Sequence, residues 1–259
     1  MERVTLEFAA GGGWAVVREV CGHDEEAVAG VATEEAIRLL DRAIVATPGS
    51  AVGPGRASEL VASDRDRLLA AVYRQSFGSR IESTVTCSAC REPFDLDFSL
   101  DALAASLRPE TSPPGVEREG GGIFRLSDQR RFRLPTGADE VAVVGLEAAA
   151  AQQELLRRCL IEGSAGDDPD AVLAAMQAVA PLCDLDLDAR CPSCENPQQV
   201  HFDLQQFLLG SILEERRLRV LEIHRIARAY GWSLAEILSL TRRRRRALCE
   251  QIDRELGTR

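Results

Sequence analysis

Eight cysteines are the residues of this sequence best suited to chemistry, and four of them fall in two Cys-x-x-Cys pairs, Cys87 with Cys90 and Cys191 with Cys194. A Cys-x-x-Cys turn presents two soft thiolates on one side of a tight loop, and two such turns complete a tetrahedral zinc site. Four thiolates leave no open coordination position, so one such ion per chain would be structural and would not activate water. One hundred residues separate Cys90 from Cys191. That is far beyond the ~15–20 of an ordinary zinc ribbon, so the pairing needs a reason from elsewhere in the chain. A dithiol redox site is the competing chemistry. It needs only one pair, usually opening a helix, and neither pair has a helical sequel.

The other candidate groups read as structural. Cys21, Cys159, Cys183 and Cys249 are isolated and read as packing or surface residues. His201 follows Cys194 in a strand-like run and reads as a half-buried strand residue before a ligand, and His224 as solvated or partner-facing among arginines. The acid pairs Glu25-Glu26 and Asp167-Asp168 read as helix-start charges before general acids. There is no Gly-rich phosphate loop, Gly-x-Ser-x-Gly elbow or His-Glu-x-x-His helix. The expectation is a chain that is not an enzyme and takes no small-molecule substrate.

An internal repeat supplies the reason the two cysteine pairs should meet. At an offset of 115, Arg18, Gly22, Asp24, Glu25, Ala27, Val28 and Gly30 match Arg133, Gly137, Asp139, Glu140, Ala142, Val143 and Gly145. Leu39, Leu40 and Arg42 match Leu155, Leu156 and Arg158 at 116. At 104, Asp64, Asp66, Leu69, Ala70 and Ala71 match Asp168, Asp170, Leu173, Ala174 and Ala175, with Cys87 and Cys90 on Cys191 and Cys194, and Phe98 and Leu100 on Phe202 and Leu204. The register changes across the Gly/Pro/Ser stretch Thr47–Arg56, which reads as a surface loop able to absorb an insertion.

Each half then predicts one plan. A hairpin comes first, with strands at Val4–Phe8 and Trp14–Val17 around Gly11-Gly12-Gly13, then at Ile123–Leu126 and Arg131–Leu134. Asp24 and Asp139 begin or cap the following helix, with further helices at Glu34–Val45 and Leu146–Leu160. A second helix opens at Asp64 or Asp66, and at Asp168 or Asp170. Strand, knuckle and strand follow. The predicted fold is α+β: duplicated hairpin–helix–zinc-knuckle halves forming one zinc ribbon, with a helical C-terminal module. The boundaries are a first half at 1–107, a linker at 108–122, a second half at 123–207 and the C-terminal module at 208–259.

Composition narrows the function classes. The net charge of -10 argues against broad binding to nucleic acid or anionic membrane. No apolar run approaches the ~20 residues of a membrane span, and the opening residues lack a secretory apolar stretch. The expectation is a soluble cytoplasmic protein. Every basic residue is arginine, and from Glu214 to Arg259 there are 12 arginines against 7 acids, so this tail is basic on an acidic body.

The tail reads as one long helix from Gln205 to Tyr230 with an apolar face of Leu209, Ile212, Leu213, Leu218, Leu221, Ile223, Ile226 and Ala227. Gly231 ends it, Ser233-Leu-Ala-Glu236 is a capping box, and Thr241 caps a last helix. Arg242, Arg243, Arg244, Arg245 and Arg246 fill the first turns of that helix, where the macrodipole disfavours cations. They read as a solvated face or as a docking surface for an acidic protein partner, with nucleic acid third.

The run Arg225-Ile-Ala-Arg-Ala-Tyr-Gly-Trp-Ser-Leu-Ala-Glu-Ile-Leu-Ser-Leu240, followed by an arginine-rich helix, resembles the C-terminus of baseplate-associated proteins of contractile tailed phages and phage-tail-like contractile injection systems. The likeness extends to Asp64–Leu69, Ser76–Ile81, both Cys-x-x-Cys strands and Arg133–Glu140. Val20-Cys21 in the first hairpin and the lack of an aromatic in the last helix depart from it. The resemblance implies a structural or assembly role beside baseplate, hub or tail components, either as an assembly factor or as a part of the assembled particle. The alternative is a zinc-ribbon nucleic-acid-binding regulator acting through the C-terminal arginine helix.

Overall fold

The computed structural model describes residues 1–9, 12–107, 113–164 and 168–257. It is a mixed α and β structure with small antiparallel sheets. Strands β1 (Glu2–Thr5) and β2 (Trp14–Val17) are followed by helices α1 (Gly22–Ala27) and α2 (Thr33–Ala43), and β3 (Ile44–Ala46) returns to pair with β2. A 3₁₀ turn at Ala57–Glu59 leads into α3 (Ala62–Phe77), the hairpin β4 (Arg80–Thr86) and β5 (Pro93–Ser99), and α4 (Leu100–Ser106). After β6 (Val116–Gly120) the order recurs as β7 (Ile123–Leu126), β8 (Arg131–Arg133), α5 (Gly137–Ala142), α6 (Ala148–Cys159), β9 (Leu160–Glu162), α7 (Pro169–Val179), β10 (Asp184–Arg190), β11 (Pro197–Asp203) and α8 (Leu204–Glu214). Helices α9 (Arg216–Tyr230), α10 (Leu234–Leu238) and α11 (Arg242–Gly257) complete the chain. Among the described residues no helix is long and apolar enough to cross a membrane.

The recurrence extends to strand register. β2 meets β3 with Val17 opposite Ile44 and a bulge after Val16, and β8 meets β9 with Phe132 opposite Leu160 and a bulge after Arg131. The hairpins β4–β5 and β10–β11 run from Arg80 opposite Ser99 to Thr86 opposite Pro93, and from Asp184 opposite Asp203 to Arg190 opposite Pro197.

Helix α2 shows why these segments take these forms. Ala36, Leu39, Leu40 and Ala43 recur at helical spacing and are buried, while Glu34 and Glu35 occupy the first turn, where the helix dipole favours acids. Each buried leucine contributes about 1.5–3 kcal/mol.

Two main cores result, and they interlock. Phe202, Leu204, Leu208, Leu209 and Ile212 join α2, α3 and the first sheet in one core. Phe8 and Val61 join β7, β8, α6 and α7 in the other. The boundary at 107 therefore does not separate two cores. The boundary at 208 also moves, because α8 lies in the first core, and the C-terminal helices begin at Arg216 around Ile226, Ile237, Cys249 and Ile252.

Other expectations are corrected here. Residues 108–112 of the expected linker lie outside the described residues, as do Gly11 and Asp167. Val116–Gly120 is a strand paired with β7, not linker. Glu117 lies opposite Arg125, and their side chains pair at 2.6 Å, and Gly121 and Gly122 form the turn of this hairpin. The long helix expected over 205–230 is interrupted at Glu215, whose carboxylate takes Arg242 and Arg246 of α11. Leu218 and Leu221, expected on a buried face, are 51% and 58% exposed.

Asp64 holds the first hairpin to α3. Its carboxylate is fully buried and accepts the backbone N–H groups of Glu7, Phe8 and Ala9 at 2.8, 2.9 and 2.9 Å. Burial pushes its pKa up against those donors and Arg67. Removing the acceptor strands three buried or part-buried donors, each worth about 1–3 kcal/mol. Asp64→Ala should therefore cost about 3–5 kcal/mol in urea unfolding with an unchanged m-value, and a loss below about 1 kcal/mol would show that the N–H groups find other partners.

Candidate metal centre

The two hairpins carry the cysteine pairs at their tips. In the first, the Cys87 N–H donates to the Glu92 carbonyl at 3.0 Å and the Arg91 N–H to the Cys87 carbonyl at 3.1 Å. In the second, the Cys191 N–H donates to the Asn196 carbonyl at 3.1 Å and the Glu195 N–H to the Cys191 carbonyl at 2.9 Å. Arg91 and Glu195 both take left-handed backbone, with φ of 67° and 58°, at the same place in the turn. A non-glycine residue there costs about 1–2 kcal/mol, which the surrounding turn must offset.

The structure brings together the four cysteines singled out in the sequence. One sulfur from each of Cys87, Cys90, Cys191 and Cys194 lies within 4.8 Å of every other, and the cluster could hold a metal ion. The Cys87–Cys194 and Cys90–Cys191 separations are both 3.7 Å. A tetrahedron with metal–sulfur bonds of ~2.3 Å has edges of about 3.8 Å, whereas a disulfide would require ~2.05 Å. Cys87 and Cys191 are fully buried beside Phe94, Val85 and Ala189, while Cys90 and Cys194 are exposed.

Crowding of the four thiols splits their ionisation. The backbone N–H groups of Cys90 and Ala89 hold the Cys87 thiol down at about 6. At Cys90 the Glu92 N–H favours the thiolate, but burial and the Cys194, Cys87 and Cys191 thiols push it up to about 12. Four thiolates at this spacing need a positive charge between them. Polar contacts lock the tips across the gap, with the Ser88 N–H donating to Gln198 Oε1 at 2.9 Å and Asn196 Nδ2 to Ser88 Oγ at 3.3 Å.

The roots of the hairpins are fixed as well. Phe98 meets Phe202 edge-on, with ring centroids 5.1 Å apart. The Cys183 N–H donates to Asp66 at 2.9 Å, tying the start of β10 to α3. Cys183 and Cys159 are buried, and burial pushes their thiols up to about 12 and about 11, as suits packing residues. Cys249 is buried and Cys21 half-buried. His201 is exposed rather than half-buried, because it lies on the polar face of β11 opposite Asp186, four rungs back from the last pair before the knuckle. Four rungs are roughly 13 Å. His224 is exposed on α9.

A second constellation went unread as a unit in the sequence. Arg18 grips Asp24 at 2.7 and 2.8 Å, and Arg133 grips Asp139 at 2.6 and 3.0 Å. Each aspartate also accepts the backbone N–H three residues earlier, from Cys21 or Thr136. The glutamates that follow reach outward. Glu140 pairs with Arg65 of α3 at 2.8 Å, and Glu25 with Arg245 of α11 at 2.6 Å. The Gly137 N–H donates to the Leu60 carbonyl at 3.0 Å, and the Gly22 N–H to the Leu240 carbonyl at 3.1 Å. A Cβ on Gly137 would meet Ser58 O at 3.3 Å, and one on Gly22 would meet Leu238 Cα at 3.0 Å. Bridges between Thr136 and Val61 and between Cys21 and Thr241 complete the correspondence. Helix α11 thus docks on α1 as α3 docks on α5.

This geometry corrects the reading of the arginine run. Arg245 is 1% exposed, held by Glu25 and by Glu222 at 3.0 Å. Arg242 and Arg246 take Glu215, and the Arg242 guanidinium lies 4.4 Å from the Phe77 ring centroid. These three are fold contacts, and only Arg243 and Arg244 are exposed. Glu25 does lie in the first turn of α1, as expected, but it is more than a helix-start charge. It is buried between Arg245 and Arg219, and burial raises its pKa against those cations. The missed signal was the pair of partners of Glu25, Arg219 and Arg245, which lie 194 and 220 residues away in sequence.

No protein-family model, curated protein or solved structure matches this chain.

Two predictions follow from the site. Cys191→Ser should lower the melting temperature of metal-loaded protein by about 10 °C and abolish the destabilisation caused by a chelator, since ~3 kcal/mol corresponds to about 6–12 °C at this size. An unchanged melting curve would remove the cluster from the stability of the fold. Arg245→Gln should cost about 3–5 kcal/mol by leaving Glu25 buried and unpaired, against less than about 0.5 kcal/mol for Arg243→Gln. Equal losses in urea unfolding would contradict the clamp.

Proposed function

We propose that the chain is a non-enzymatic structural or assembly protein, made of two duplicated halves bolted through one structural zinc on Cys87, Cys90, Cys191 and Cys194, and that it serves beside the baseplate or hub of a phage-tail-like contractile injection apparatus. The observation that carries the scaffold reading is the closed cluster of four thiols contributed by two hairpins 100 residues apart. Four soft ligands with tetrahedral spacing and no open position favour zinc in a structural role. A reducing cytoplasm keeps such thiols available.

Duplication is supported by the shared element order, by bulges at equivalent rungs of the two sheets, and by seven-rung hairpins related by a constant offset. The matched Arg18, Gly22, Asp24 and Glu25, and Arg133, Gly137, Asp139 and Glu140, make the same contacts in the two halves. The assignment to an injection apparatus rests on the likeness of the Arg225–Leu240 run and of the segments around the cysteines. The nucleic-acid reading keeps only Arg243 and Arg244 of its five arginines free of the fold.

Affinity purification of the tagged full chain, from a host carrying sheath and tube genes, should enrich baseplate, hub or tail proteins. Repeated recovery without any of them would contradict the assignment. A mobility-shift titration with duplex DNA should show no salt-dependent complex. A complex weakened by Arg243→Gln with Arg244→Gln would move the assignment to the regulator instead.

A further inference from the structure

The metal clamp leaves a slot between the two hairpins. A groove of about 560 Å³ is lined by residues 81 to 85 of β4 and 200 to 203 of β11, with one face of α8 beneath. Successive side chains of a strand point to opposite faces, so a wall made of consecutive residues presents the strand's edge. Among the described residues no backbone-to-backbone hydrogen bond reaches the outer edge of either strand, since β4 pairs with β5 alone and β11 with β10 alone. The slot is pinned at one end by the four cysteines and near the other by the Phe98–Phe202 contact. β4 runs toward the cysteines and β11 away from them, so the two edges are antiparallel across the gap.

Two open edges facing each other form a template for one more strand, which would bond on both sides and join the hairpins into a single sheet. The lining selects the chemistry of that strand. Glu82, Asp203 and Glu214 line the groove and no arginine does, while Asp184 and Asp186 flank His201 at its rim. We infer that the slot accepts an extended segment of a partner protein carrying arginine or lysine at alternate positions, added as a strand between β4 and β11. The metal then has a binding consequence, because it sets the spacing of the two edges. This inference deepens the scaffold reading and rests on it.

Gly210 provides a clean test. It lines the slot from α8, and a Cβ there meets nothing within 4 Å. Gly210→Leu should fold at least as well as the parent, because leucine is the better helix former, while filling the slot. The probe is a fluorescein-labelled decapeptide of alternating arginine and valine, titrated by anisotropy into the metal-loaded full chain. Saturable binding is expected, weakened at least tenfold by Gly210→Leu, by N-methylation of alternate peptide bonds at unchanged charge, and by metal removal. Absent binding, or equal affinity for the N-methylated peptide or the leucine variant, overturns the inference. So does concentration-dependent dimerisation abolished by Gly210→Leu, which would make a second copy the occupant. Failure of the peptide while one metal per chain is retained overturns the slot alone, whereas a folded chain that takes up no metal overturns the scaffold reading beneath it.

Discussion

Four sulfur atoms must converge on a point from two places a hundred residues apart, and most of the molecule can be understood from that constraint. Neither hairpin buries enough to stand alone, since a two-stranded hairpin is marginal in water. Each is therefore fixed at its root, by the Phe98–Phe202 contact, by Asp66 on the Cys183 N–H and by α8 in the first core, and at its tip by the other hairpin. The interlocked cores follow from the same demand. Phe8 and Val61 cross one way, and Leu204 and Leu208 the other, so neither core can come apart without disturbing the other.

A second device works beside the cluster and is ionic. At both α1 and α5 an Arg–Asp pair stiffens the turn before the short helix, a glycine allows close approach, and a glutamate reaches a buried arginine four residues beyond the bridge point of a docking helix. Buried ion pairs of this kind add little net stability over apolar packing but penalise wrong docking strongly, because any misfit leaves a charge unpaired. Here they join α3 to α5 and α11 to α1.

How much of this was readable in the chain depends on whether a residue's partner is near or far. The cysteine pairs, the alternating strands around them and the Ser233–Glu236 capping box were legible because their signals are local. The matches of Arg18, Gly22, Asp24 and Glu25 with Arg133, Gly137, Asp139 and Glu140 were visible as identities, but their meaning lay with Arg65 and Arg245. In register, those two docking helices share only Arg65 with Arg245, Leu68 with Leu248 and Arg74 with Arg254, too little to find by eye. The break at Glu215 and the burial of Arg245 are tertiary effects that no local propensity encodes. Leu218 and Leu221 looked like core and are not, because the face of α9 that packs is centred on Arg219 and Ile226.

X-ray absorption at the zinc edge, with metal quantified per chain, reads the central constraint directly. The account requires one zinc per chain in a shell of four sulfurs at about 2.3 Å. Nitrogen or oxygen ligands, a ratio of one zinc to two chains, or a fully folded chain without metal would contradict it.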